Sequence, residues 1–122
     1  MLADNWSENN KALISLVKEH FGDGVSCFYS YSNESNRDSF VECLVYRAFM
    51  LRFSLGDISQ GGAFGIGVFI GDWPVDLETL TDWHEGISLN FTREAVLGSL
   101  EVLDKYLQWR MTDAQKETFG LL

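Results

Sequence analysis

Hydrophobic spacing divides the chain into alternating helical and extended segments. Leu13, Leu16, Val17, His20 and Phe21 recur at helical intervals. Ser7 is a candidate N-cap for this first helix, and Gly22 stands where a left-handed C-cap belongs. From Val25 the period falls to two. Val25, Cys27, Tyr29 and Tyr31 take one parity, and Ser26, Ser30 and Ser32 the other, beside Phe28. The run "NESNRD" reads as a turn. In residues 39–55, Val41, Cys43, Val45, Phe49, Leu51, Phe53 and Leu55 share a parity, with Arg47 interrupting and Glu42 and Arg52 on the other face. That pattern predicts one long or bent antiparallel strand. The competing reading is a helix capped by the Ser39-x-x-Glu42 box.

The stretch "GGAFGIGVFIG" (61–71) alternates as well. Phe64, Ile66, Val68 and Ile70 point one way, and Gly65, Gly67, Phe69 and Gly71 the other. A dinucleotide loop needs a strand, then G-x-G-x-x-G, then a helix. Here the glycines follow turn-like "SQGG" and lead into "VFIGDWP", and no Walker loop occurs. The stretch is a strand whose glycine face lets a neighbour approach. Next come a short helix in "PVDLETLTDW", a strand in "ISLNF", and a long helix capped by Thr92 with a Val96, Leu100, Leu103, Leu107 stripe. Thr112-x-x-Gln115 caps a final helix ending near Gly120. The order, roughly α-β-β-β-α-β-α-α, describes a single α+β domain over residues 1–122, an antiparallel sheet with helices packed on it.

Charge changes the picture of partners. The chain holds 18 acidic and 9 basic residues, for a net charge of −9. Such a surface repels nucleic-acid phosphates and anionic membranes and speeds encounter with a basic protein. No segment has the apolar length of a membrane span, and the N-terminus lacks a leader's basic and apolar regions. The expected location is the cytoplasm, with Cys27 and Cys43 reduced and buried.

Candidate chemistry is sparse. His20 reads as a satisfied boundary residue, because one imidazole makes no site without partners. Asp82, His84 and Glu85 match no helix-based pair of metal ligands. G-x-S-x-G is absent. Both cysteines sit in apolar alternation. These residues give no catalytic constellation, cofactor motif or metal pattern, and the expectation is a protein that is not an enzyme.

One window departs from a mixed surface. From Phe53 to Thr92, forty residues, there is no Lys or Arg, while Asp57, Asp72, Asp76, Glu78, Asp82 and Glu85 fall inside it. Five of these lie between 72 and 85, interleaved with Trp73, Trp83 and His84. Tryptophan is enriched at binding hot spots, and a one-sign field favours an oppositely charged partner. The candidate partner-binding residues are therefore Asp72, Trp73, Asp76, Glu78, Asp82, Trp83, His84 and Glu85. The bland reading of the same residues is a solvated loop with tryptophans tucked into the core.

In size, acidity and element order the whole chain resembles the bacterial immunity proteins encoded beside contact-dependent or other polymorphic toxins. No motif carries that resemblance. It implies a cytoplasmic inhibitor that covers the active site of a cognate basic toxin, such as a nuclease, with the five carboxylates meeting Lys and Arg and the two indoles as anchors. The chain is also similar to small acidic secretion chaperones, which would hold an effector segment in extended form.

Overall fold

The computed structural model describes residues 6–33, 38–56, 64–82 and 90–122. Helix α1 (Trp6–Phe21) is followed by a 3-10 turn (Gly22–Gly24) and five strands: β1 (Val25–Asn33), β2 (Asp38–Val45), β3 (Phe49–Leu55), β4 (Phe64–Ile70) and β5 (Trp73–Asp76). A one-turn helix α2 (Leu77–Leu80), the long α3 (Arg93–Arg110) and α4 (Asp113–Thr118) complete the order. The strands form one open antiparallel sheet in the order β1-β2-β3-β4-β5. This is the expected α+β domain, with helices packed on an antiparallel sheet.

One parity of each central strand builds the core. Val41, Cys43 and Val45 of β2, Phe49, Leu51, Phe53 and Leu55 of β3, and Phe64, Ile66 and Val68 of β4 are all buried. They meet Leu13, Leu16, Val17 and Phe21 of α1, Leu77 of α2, and Val96, Leu100, Leu103 and Leu107 of α3 in a single cluster. Each helix contributes the stripe its periodicity predicts. Phe91 joins the core beside Phe64, their ring centroids 6.2 Å apart. The opposite sheet face carries Tyr29, Phe40, Leu44, Met50, Arg52 and Phe69, which stand outside that cluster.

Residues 39–55 are not one strand but a hairpin. Val45 pairs with Phe49 across a turn at Tyr46, Arg47 and Ala48. Folding the chain about residue 47 maps odd positions onto odd positions, so the alternation survives the reversal and imitates a continuous strand. The usual glycine or asparagine turn signal is missing: Tyr46 and Arg47 themselves take φ of 53° and 53°. The competing helix is ruled out by the β2–β3 ladder.

Other boundaries shift. Helix α1 starts at Trp6, ahead of the expected cap Ser7, while Gly22 does take the left-handed conformation with φ 55°. Strand β1 carries a bulge: Ser26 faces Leu44 but Tyr29 faces Glu42, three steps against two. The bulge, with Cys27 at φ 58°, puts Val25 and Tyr29 on opposite faces and leaves Cys27 exposed, not buried as expected. The segment beginning at Trp73 opens as strand rather than helix, and only Leu77–Leu80 is helical. Pro74 suits that edge, where a missing N–H costs no ladder bond. The expected strand in "ISLNF" falls largely in 83–89, outside the described residues.

The glycine face does what alternation predicts at one position. A Cβ on Gly67 would lie 3.0 Å from the Pro74 Cβ, so β5 closes in through the missing side chain. At Gly65 nothing comes within 4 Å. Ile70 shares the inward parity yet is 45% exposed, at the turn that leads into β5.

Candidate functional site

The acidic residues follow one edge of the sheet. Gly71, with φ 64°, makes the turn that presents Asp72, and Trp73 begins β5 opposite Ile70. Trp73 is 77% exposed, so its indole faces water rather than the core. Asp76 ends β5 and precedes α2, Glu78 lies on α2, and Asp82 follows it, all three exposed. The four carboxylates of Asp72, Asp76, Glu78 and Asp82 thus run along a short edge strand and the helix it leads into. Trp83, His84 and Glu85 lie outside the described residues.

Among the described residues, the paired cations serve carboxylates elsewhere. Arg52 binds Glu42 across β2 and β3 at 2.8 Å, Arg93 binds Glu19, and Lys11 lies 3.6 Å from Glu8. Arg52 is further held over Phe40, 4.3 Å from the ring centroid. No ion pair among the described residues reaches the four β5–α2 carboxylates; the nearby Arg110 lies instead against the Tyr106 ring, 5.6 Å from its centroid.

A second indole stands beside them. Trp109, on α3, is 72% exposed and tilts toward Tyr106, ring centroids 6.2 Å apart. With Thr79, Leu80, Thr81 and Asp82 these rings line an open notch of about 230 Å³. Sequence reasoning passed over Trp109. The available signal was its place off the Val96, Leu100, Leu103, Leu107 stripe, where a large apolar side chain has no core to enter.

His20 has partners of its own. Its Nε2 lies 2.9 Å from Asp104 Oδ2. A carboxylate only accepts, so Nε2 carries the proton. Tyr46 Oη donates to Asp104 Oδ1 at 2.6 Å, and Gln108 Nε2 donates to the same oxygen at 3.1 Å. Burial alone would raise the Asp104 pKa. The hydrogen bonds from His20, Tyr46 and Gln108 outweigh it and hold the carboxyl below its ordinary value. Tyr46 shifts upward, first through burial and then through its bond to this carboxylate. The network joins α1, the β2–β3 turn and α3. It satisfies the boundary histidine at the wall of a cavity that Tyr46, Arg47 and Asp104 also line.

Tyr46 is the mechanical centre of this network. Its N–H donates to the Gly24 carbonyl at 2.6 Å, and its ring meets Phe21 edge-on and Phe119 at a tilt. These contacts hold a left-handed tyrosine that would otherwise relax. They also fix Gly24, where a Cβ would lie 2.9 Å from Tyr46 Cε1. Gly24→Ala is expected to cost about 1–2 kcal/mol by forcing that ring aside. Equal urea midpoints for wild type and variant would contradict this contact.

Among the described residues, no three His, Cys, Asp or Glu side chains come together to hold a metal, and no helix is long and apolar enough to cross a membrane. Comparison with protein-family models, with curated proteins and with solved structures gives no match to this chain.

Proposed function

We propose that this chain is a protein-binding protein that neutralises a basic toxin, as a bacterial immunity protein does, by occupying the toxin's active-site face. One observation carries the reading: an acidic edge along β5 and α2 that presents Trp73 at one end and adjoins the Trp109 notch at the other. Asp72, Asp76, Glu78 and Asp82 would accelerate encounter with Lys and Arg of the partner. The indoles would supply the desolvated anchors that slow its release. Trp109 joins Trp73 as an exposed indole of this surface. A nuclease is the fitting toxin, since a protein that binds phosphates carries the positive field this edge attracts. The chaperone reading draws on the aromatic residues of the sheet face opposite the helices, and needs an unfolded client.

The test is association kinetics with the folded product of the adjoining reading frame. Wild-type association should slow by about tenfold or more between roughly 50 and 500 mM salt, because screening shortens the reach of the field. Replacing Asp72, Asp76, Glu78 and Asp82 together by Ser should lower the low-salt rate to a similar extent and flatten the salt dependence. Association that is unchanged in this variant would remove the acidic edge from the interface.

A further inference from the structure

The two edges of the sheet differ in kind. β5 has only four residues, contains Pro74, and is flanked by Asp72 and Asp76. Short length, proline and charge are the usual protections of an edge strand. β1 has none of the three. Its nine residues, Val25–Asn33, include no charge and no proline. Among the described residues its protection is the bulge between Ser26 and Tyr29, which leaves Tyr29–Asn33 in regular pairing with β2. On the far side of that run, alternate N–H and C=O groups point away from the sheet. Ser30 and Ser32 are exposed, and Tyr29 is 55% exposed.

We infer that β1 is a self-association edge: two copies pair their β1 strands antiparallel about a two-fold axis, joining two five-stranded sheets into one. The sequence of the run is self-complementary. A two-fold axis at Ser30 sets Tyr29 of each copy opposite Tyr31 of the other, and Ser30 opposite Ser30. Aromatic and hydroxyl pairs are both favourable across strands. Tyr31 already stacks on Phe40 at 4.9 Å, so the new rings extend an existing aromatic row.

Charge argues for a second copy as the occupant. Each chain carries −9, and most of its surface would repel a twin. The acidic β5 edge lies four strand spacings from β1, about 19 Å. That is about twice the Debye length at physiological salt, so pairing at β1 keeps the β5–α2 carboxylates of the two copies apart. A basic partner, by contrast, finds no charge on β1 to pair with. The paired run is short, so the dimer buries less than about 1,200 Å² and is weak and reversible.

Sedimentation velocity of the full chain over a concentration series tests this. A monomer–dimer equilibrium is expected, with the dimer favoured as salt rises, since screening relieves repulsion between like-charged copies. The sign is opposite to that expected for a basic partner, so either idea can fail without the other. Tyr29→Lys and Ser32→Lys should each abolish the dimer with an unchanged far-ultraviolet circular dichroism spectrum. In wild type, a spin label on the exposed Cys27, with Cys43 buried, should report an inter-copy distance of about 20 Å, the span of roughly six residues of antiparallel strand that an axis at Ser30 sets between the labels. A monomer at every concentration and salt, or a dimer that survives both lysine variants, would overturn the inference.

Discussion

Asp104→Ala should destabilise the protein by about 3 kcal/mol at neutral pH, because hydrogen bonds to a charged acceptor are stronger than ordinary ones and their partners are left unsatisfied. Tyr46 Oη, His20 Nε2 and Gln108 Nε2 all converge on this carboxylate, from the β2–β3 turn, from α1 and from α3 itself. Removing it leaves a tyrosine in the left-handed region with no acceptor for its hydroxyl proton, and takes from His20 its bond to α3. Asp104→Asn keeps the shape and an acceptor for Tyr46, and should cost less. The linkage gives a second readout. A carboxyl whose folded pKa is depressed adds stability above its unfolded value of 3.8, and that stability is lost as pH falls through the folded pKa. The gap between wild type and Asp104→Ala should therefore be full at pH 7 and shrink below about pH 4, as proton linkage requires. Urea titrations at a series of pH values measure it. A gap independent of pH would mean that packing, not the charge, is what Asp104 contributes.

Much of the fold was legible because burial leaves periodic traces. The stripes of α1 and α3, the caps at Thr92 and Thr112 and the alternation of β2, β3 and β4 each express a local rule, and each appears in the structure. Thr92 accepts from the Ala95 N–H, and Thr112 and Gln115 bond reciprocally. The hairpin at residue 47 was hidden for a geometric reason. Its reversal preserves parity, and the residues that turn it are held in place by distant contacts from Gly24 and Asp104, which no local window contains. The bulge in β1 was hidden likewise, since one extra residue inverts the faces without altering composition. Asn10 gave no signal at all. It is buried in α1, donates to Ser30 and Tyr31, and accepts from Ser39, so its meaning exists only once three elements meet. Of the acidic window, the charge imbalance was readable and the exposure of Trp73 was not, because the same alternation would have suited a buried indole. Trp109 shows the converse: its separation from the apolar stripe was visible, but its position beside Asp82 depends on how α3 lies against α2.

The second large effect is expected in alkali. Cys43 is 0% exposed between Val41 and Val45, opposite Leu51, and burial pushes its thiol up to about 12 from an ordinary 9.0. A buried thiolate has no water to solvate it, so the folded chain keeps a proton that the unfolded chain releases. For a group raised in this way, stability is complete below the unfolded pKa and declines as pH rises toward the folded one. From pH 9 upward Cys43 alone should remove about 1.4 kcal/mol per pH unit, or about 4 kcal/mol by pH 12. Tyr46 acts in the same direction at higher pH, its proton retained by burial and by Asp104. Cys43→Val keeps the site apolar and similar in volume while removing the titration. Its denaturation midpoint should fall less steeply than that of wild type between pH 9 and 11. Tyr46→Phe should flatten the profile only above the ordinary phenol value of 10.0. Lysine and surface tyrosine titrations are common to all three proteins and drop out of the comparison. Parallel alkaline profiles for wild type and Cys43→Val would show that water reaches β2 from within, and that the sheet and helices do not close over it as the buried parity requires.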